Sequence, residues 1–564
     1  MARTVAIGIQ DFGDLIQKNC FYIDKTMFIK EWWECNDSVT LLNRPRRFGK
    51  TLNMSMLEYF FSTEYAGRSD LFEQLAIWDE EKYRLLQGTY PVISLSFAGV
   101  KEYCLENAKD RIRSIIKSIY KKIFFLMSSS SLSENDKVYI ERIMSDEGSE
   151  TDITSSLQQL SYFLYCYYGK KVIILLDEYD TPMQEAYVKE YWDELVDFTR
   201  SLFNAAFKTN PYLERGIMTG ITRVSKESVF SDLNHLEVIT TTSDKYASAF
   251  GFTEPEVFAA LEECNLAEYK EEVRRWYDGF VFGKQKDIYN PWSILNFLDK
   301  EKIDIFWANT SANSLIGKVL REGNRNMKEQ FERLLQGEKL LTTIDEQIVY
   351  NQLDGNEKAV WSLLLASGYL KVVSVQKYQD VPRGKEPLYE LVLTNLEVEV
   401  MFHNMVRSWF QDSAADYNDF VKALILDDCD AMNEYMNRVA LNTFSYFDTG
   451  NRPSGEEPER FYHGFVLGLL VELQYEYIIL SNRESGFGRY DVIIEPKDNK
   501  KDAVILEFKV FNPRKESCLE ETVAAALKQI EDKKYATDLE MRGIPKERIR
   551  KYGIGFKGKQ VLIG

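Results

Sequence analysis

The stretch Leu41-Leu42-Asn43-Arg44-Pro45-Arg46-Arg47-Phe48-Gly49-Lys50-Thr51 decides how this chain is read. The apolar run that leads into it, Ser38-Val39-Thr40-Leu41-Leu42, predicts a buried strand, and Leu52–Phe61 predicts a helix. A strand, a loop ending in Gly-Lys-Thr and a helix form the arrangement that holds a nucleotide triphosphate. Backbone N–H groups and the positive helix end face the phosphates, the lysine reaches the outer ones, and the threonine hydroxyl binds Mg²⁺. The usual spacing is G-x-x-x-x-G-K-[ST], and the first glycine position is occupied here by Arg44. Taken alone, the motif leaves two readings open, an ATP site and a basic turn that starts a helix.

Downstream, Lys171-Val172-Ile173-Ile174-Leu175-Leu176-Asp177-Glu178-Tyr179-Asp180 reads as a buried parallel strand with acids at its C-terminal edge, where open α/β sheets bind ligands. In an ATP hydrolase Asp177 would hold the Mg²⁺ shell and Glu178 would polarise the attacking water. A third strand, Arg215–Arg223, ends in Thr219, Thr222 and Arg223, candidates for sensing the γ-phosphate or neutralising its charge. A solvated Arg223 is the competing reading. Between the strands, residues 101–168 read as long amphipathic helices broken at Ser128–Asp136. The expected fold class is α/β with a parallel sheet.

Composition narrows the class. The 564 residues, 45% hydrophobic and 13% aromatic, suffice for several buried cores, and the net charge of −18 argues against a generally basic nucleic-acid coat. A local basic groove stays compatible with that charge. Seven scattered cysteines without a C-x-x-C pair and three histidines argue against zinc or histidine chemistry. The sequence has no signal-peptide pattern and no apolar run of membrane-spanning length, so the expectation is a cytoplasmic protein with no membrane partner.

From Gly251 the pattern turns helical and rich in aromatics, through Trp276–Gly283 and Ile288–Ser293. This suggests a packed lid, with an aromatic platform for bases as the alternative. Asp448–Gly455 is loop-like and marks a boundary. Beyond it come a helix opening at Pro458-Glu459, strands at Tyr475–Ser481, Arg489–Glu495 and Ala503–Val510, and a helix over Leu519–Leu539. Period-2 alternation puts Glu507 and Lys509 on one strand face, and pairing with the preceding strand would bring Asp491 to Glu507. Two carboxylates bind Mg²⁺ or Mn²⁺, and the metal and the lysine activate water at a phosphodiester. The bland reading is a salt-bridged pair of edge strands.

Phe21–Thr26, Asn43–Thr51, Leu176–Pro182, Trp276–Phe280, Tyr289–Ser293, Tyr462–Leu470, Ser481–Asp491 and Glu507–Lys509 together make the chain resemble bacterial AAA-ATPase-like proteins with a C-terminal PD-(D/E)XK nuclease-superfamily domain. The pattern of that family includes the arginine-rich loop. The resemblance implies ATP binding at Lys50 and Thr51 and an acidic Mg²⁺ strand at Asp177 and Glu178, with Glu178 as the catalytic carboxylate that polarises water; Arg46, Arg47, Gly49 and Arg223 are further candidates for holding the nucleotide. Mg²⁺ is implied at Thr51 and Asp177, and a nuclease metal, Mg²⁺ or Mn²⁺, at Asp491 and Glu507 beside Lys509. Glu459, with Glu472 as second choice, would complete that site, and Gln529 would add a polar group.

The expected layout is a P-loop ATPase domain over 1–250, a helical lid over 251–330, a connector over 331–447 and a restriction-endonuclease-like α/β domain over 448–564. The expected activity is an ATP-regulated, metal-dependent nuclease, with DNA favoured over RNA and homo-oligomerisation left open. Basic stretches such as Arg542–Lys559 are candidates for tracking the nucleic-acid backbone. A defence or mobile-element role follows only from the domain pairing. The alternative is a nucleotide-switch scaffold ATPase whose nuclease-like domain binds without cutting; no helicase-type motif supports a translocase.

Overall fold

The computed structural model describes residues 3–564 except 146, 223–234, 309–312, 323–324, 346–352, 354–355, 410–416, 444–465, 467–469, 471–472, 474–475, 482–483, 486–487, 490–491 and 499. The chain divides into two compact units, Met1–Met401 and Phe402–Gly564.

In the first unit, β1 (Val39–Asn43), β2 (Val92–Ser96), β3 (Val172–Asp177), β4 (Leu213–Gly220) and β5 (Leu236–Ile239) form a parallel sheet in the order β2-β3-β4-β1-β5. Strands β1 and β3 are buried along their whole length, which is why they read as unbroken apolar runs. The edge strands β2 and β5 are partly exposed. Because every strand points the same way, the C-terminal tips of β1, β3 and β4 meet at one edge. The register puts Asn43 opposite Gly220 and Leu176 opposite Met218. That edge therefore gathers the phosphate loop, Asp177 and Thr219. Helix α1 (Lys50–Phe61) starts from it, and α2 (Glu150–Tyr168), capped by a Ser149–Asp152 box, leads back into β3.

Residues 251–300 are less purely helical than expected. Strands β6 (Phe252–Thr253), β7 (Phe280–Phe282) and β8 (Gln285–Tyr289) make an antiparallel sheet, order β6-β8-β7, among three helices. A second small sheet, order β10-β11-β9, joins β9 (Leu340–Thr342), β10 (Leu370–Val375) and β11 (Tyr389–Leu393). The stretch expected as a connector divides at Met401. Its last helices, Tyr417–Leu426 and Cys429–Thr443, bury Phe420, Leu424, Met432 and Met436 against the second unit's sheet.

That sheet comprises β12 (Tyr477–Ser481), β15 (Val492–Pro496), β16 (Ala503–Val510), β17 (Ile549–Lys557) and β18 (Gln560–Ile563) in chain order, with the short hairpin β13 (Glu484–Ser485) and β14 (Gly488–Arg489) beside it. Only β16 and β17 run parallel. Val492, Ile494, Val504, Leu506 and Phe508 face the helices that precede the sheet. Ile493 and Ile505 face the opposite side, with Ile530 and Tyr535. Half of the basic stretch Arg542–Lys559 is β17, a core strand with Ile554 and Phe556 fully buried. Three of its charges serve the fold: Arg542 pairs with Glu495, Arg550 with Asp502, and Lys551 with Glu531 at 2.6 Å. Among the described residues no helix is long and apolar enough to cross a membrane.

Gly220 ends β4 against the acidic turn after β3. A Cβ built there would lie 2.6 Å from the Tyr179 ring and 2.9 Å from the Asp180 carboxyl. Gly220→Ala is expected to lower stability by about 1–3 kcal/mol through overpacking, read as a lower denaturant midpoint. An unchanged midpoint would show that the turn yields freely.

Candidate functional site

Gly49 precedes α1 with φ +79°, a left-handed conformation that costs glycine nothing, and it turns the chain so that the first helical N–H groups open toward the loop. Lys50 is buried, and its ammonium donates to the carbonyl oxygens of Arg44 and Pro45, both at 2.9 Å. Burial holds its pKa below the ordinary lysine value, while Glu178, Asp177 and Asp180 oppose the shift. Thr51 Oγ1 donates to Asp177 Oδ2 at 2.7 Å, and Thr219 Oγ1 donates to Asp177 Oδ1. The same Thr219 hydroxyl accepts from the Glu178 N–H at 3.3 Å. Asp177 is buried, and that burial raises its pKa. Glu178 sits at φ +50° and accepts from Thr181 Oγ1 at 3.1 Å.

The loop helix, the β3 tip and the β4 tip thus converge through one carboxylate. Thr51, Asp177, Glu178 and Lys50 come together as the sequence implies. Thr222 is diverted to Asp180, whose Oδ2 accepts from the Ile221 and Thr222 N–H groups at 2.8 and 3.0 Å. Arg223 lies outside the described residues.

Arg44 does not face the phosphate side. Its guanidinium is fully buried and donates to the carbonyls of Thr240 (2.5 Å), Asn43 (3.1 Å) and Lys245 (3.2 Å), with its carbon 4.5 Å over the Phe282 ring. Desolvation pulls its pKa down to about 9. Where the usual motif has a glycine for backbone freedom, this loop has a side chain that clamps it to the segment after β5. Arg46 donates to Gln184 Oε1 at 3.0 Å, and exposed Arg47 lies 4.2 Å over Trp292.

The aromatic motifs brace the same loop. Phe48 packs edge-on against Phe280 and Phe282 at 4.8 and 5.3 Å. The Arg46 carbonyl accepts from Trp307 Nε1 at 3.0 Å and from Asn290 Nδ2 at 3.3 Å. Glu397, fully buried, in turn accepts the Phe306 and Trp307 N–H groups at 2.7 Å each. With Tyr277, Phe280 and Tyr289 buried, the Trp276–Ser293 region is packing and not a platform for bases. Arg44, Trp307 and Glu397 were not legible as loop supports, because their partners are backbone groups far away in sequence.

In the second unit, Gln529 joins the residues of the other candidate site. On helix α3 (Leu519–Asp532), its carboxamide Nε2 donates to Glu507 Oε1 and its Oε1 accepts from Lys509 Nζ at 2.7 Å. Tyr535 OH lies 3.3 Å from the same Nε2 and was not anticipated. Glu507 and Lys509 share a face of β16, as the alternation requires. Asp491, Glu459 and Glu472 lie outside the described residues. Among the described residues no three His, Cys, Asp or Glu side chains gather as a metal site.

The fold and the two clusters correspond to sequence families. Residues 6–230 match the family described as predicted AAA-ATPase, and residues 457–564 match the PD-(D/E)XK nuclease superfamily. The chain therefore carries an AAA-ATPase-like domain and, C-terminal to it, a nuclease-superfamily domain, a pairing that implies nucleotide and divalent-metal use. Over 554 residues it is 25% identical to an "Uncharacterized protein in vnfD 5'region" of Azotobacter chroococcum mcd 1, covering 96% of this chain and 95% of that one.

Two outcomes follow from this geometry. Arg44→Gly, which restores the usual motif glycine, is expected to lower both the melting temperature and the affinity for a fluorescent ATP analogue, because the carbonyls of Asn43, Thr240, Lys245 and Tyr246 lose their donor. Equal affinity in the variant would dismiss the clamp. Asp278, in the Trp276–Phe280 motif, has its pKa raised to about 6, first by burial and then by Asp287. The fold favours its protonated form, so the stability it contributes is complete below the ordinary carboxyl range and is lost as pH rises through about 6. Asp278→Asn should gain about 1–2 kcal/mol over the parent at pH 8 and nothing near pH 4, partial exposure reducing the full effect. Denaturant midpoints across pH check this.

Proposed function

We propose that this chain is a nucleotide-controlled, metal-dependent nuclease acting on DNA. The observation that carries the reading is Gln529, whose single carboxamide sets the Glu507 carboxylate and the Lys509 ammonium side by side on β16. A buried carboxylate beside an ammonium is the donor set that a hard cation and a scissile phosphate require. Asp491 stands two positions before Ile493, whose side chain packs on the side of the sheet that α3 covers. It is our choice for the second carboxylate, with Glu459 as the helix acid.

In this reading Glu507 and Asp491 hold Mg²⁺ or Mn²⁺, which supplies Lewis acidity and an activated water when bound. Lys509 neutralises the extra phosphate charge, and Gln529 keeps it from pairing directly with Glu507. At the other site the α1 N-terminus and Lys50 bind the ATP phosphates, Thr51 and Asp177 hold Mg²⁺, and Glu178 orients water. The residues present fit both groups. A hydroxyl and a carboxylate 2.7 Å apart offer hard oxygen donors, and open space lies on the Cβ side of Gly49. Arg46 and Arg47 add positive charge at the loop.

The test is cleavage of single- and double-stranded DNA and RNA with Mg²⁺ or Mn²⁺, with and without ATP. Glu507→Gln and Lys509→Ala are each expected to reduce cleavage by at least 100-fold, on the order of 3 kcal/mol of transition-state stabilisation. Lys50→Ala is expected to abolish nucleotide binding and the ATP dependence while leaving the metal requirement. Cutting that persists in both nuclease-site variants overturns the site, and nucleotide-dependent assembly without any cutting favours the switch reading.

A further inference from the structure

The edge of the first unit's sheet opposite the phosphate loop carries a cluster of rings that the fold leaves in solvent. Helix α2 buries Leu160, Phe163 and Leu164 and turns Tyr165, Tyr167 and Tyr168 outward, each 38–44% exposed. It stops at Gly169, so these tyrosines stand just before β3 begins. Phe125, which follows the helix Leu105–Lys122, is 46% exposed and meets Tyr167 at 5.3 Å, and Tyr167 meets Tyr168 at 4.8 Å. Tyr212, at the entrance to β4, meets Tyr165 at 5.3 Å. The ring contacts form two groups at this end of α2, Phe125–Tyr167–Tyr168 and Tyr165–Tyr212. Scattered exposed aromatics need no explanation, but exposed rings grouped at one end of an element mark a contact surface.

Its charge identifies the occupant. Lys121 and Lys122 precede Phe124-Phe125, and Lys170 and Lys171 follow Tyr168; all four lysines are exposed. The Lys170 ammonium lies 4.8 Å over the Tyr90 ring. Asp136 and Glu214 act on the rim through Tyr162 and Tyr90, and Glu58 interacts with Lys122, so four lysines stand against three acids there. In a chain of net charge −18, this is a local positive field around open π faces. Stackable rings framed by lysines are what unpaired bases on a phosphate backbone require; a duplex hides its base faces. The six residues of β3 separate these rings from the nucleotide edge by about 20 Å. We propose that this surface binds single-stranded nucleic acid, apart from the nucleotide edge of its own unit.

The proposal is independent of cutting, so its test is equilibrium binding of the full chain in chelator. Fluorescence anisotropy with labelled 20-mers of oligo(dT) and oligo(U) serves as the probe at several salt concentrations. The double variant Tyr167→Ala/Tyr168→Ala is expected to bind at least tenfold more weakly, and Tyr167→Phe/Tyr168→Phe to bind like the parent, since stacking needs only the ring. Lys170→Ala/Lys171→Ala should weaken binding and make the log–log salt slope shallower by about one. Binding is expected to persist in chelator and without ATP, conditions under which the nuclease reading allows no cutting, which separates failure here from failure of that reading. Three outcomes would overturn the proposal: no oligonucleotide binding by the parent chain, unchanged affinity in both the ring and lysine variants, or a ring variant whose only change is a smaller oligomer in sedimentation.

Discussion

A buried guanidinium fixes the nucleotide edge of this protein. Arg44 lies inside the fold and spends its donors on backbone carbonyls of Asn43, Thr240 and Lys245, with the Phe282 ring beneath it. A charge withdrawn from water is tolerable only where such partners are already in place. The loop between β1 and α1 therefore depends on the chain after β5 and on the β7–β8 hairpin. Trp307 and Asn290 complete the dependence by gripping the Arg46 carbonyl, and Glu397 secures the backbone that carries Trp307. A phosphate loop normally gains its shape from glycines; this one gains it from distant side chains.

The second unit solves a related problem with one amide. A carboxylate and an ammonium on the same strand face would collapse into an ion pair if left alone. Gln529 satisfies both at once, donating to Glu507 and accepting from Lys509, and it is delivered by a helix that packs Ile530 against the same face. The sheet's other face is covered by helices that precede it in the chain. Strand β16 thus has an apolar side that holds it in place and a side where polar groups are presented.

How much of this was legible varies with the range of the interaction. Strands β1, β3 and β16 could be read because buried strands show as apolar runs or alternation, both local signals. Strand β5 carries no such run, and β17 lies inside Arg542–Lys559, read as a candidate for tracking a nucleic-acid backbone. Arg542, Arg550 and Lys551 of that stretch look free in one dimension but are paired with Glu495, Asp502 and Glu531 in three. The aromatic density of Trp276–Ser293 favoured packing with base stacking as the alternative, and burial agrees with packing. The exposed rings stand on α2 and around it, in a stretch read only as long amphipathic helices.

By itself, the sequence determined the chemistry available: a Gly-Lys-Thr loop after a strand, acids at a second strand tip, and Glu507 with Lys509 on one face of a third. Those follow from residue type and from periods of two or 3.6, which neighbouring residues alone set. Only the tertiary structure decided which groups meet. Strand order brings Thr219 to Asp177, chain closure sends Arg44 inward, and the packing of α3 hands Gln529 to its two partners. Contacts between residues tens to hundreds of positions apart are written in no local pattern, because they are chosen by whichever arrangement buries most apolar surface and leaves most buried polar groups a partner.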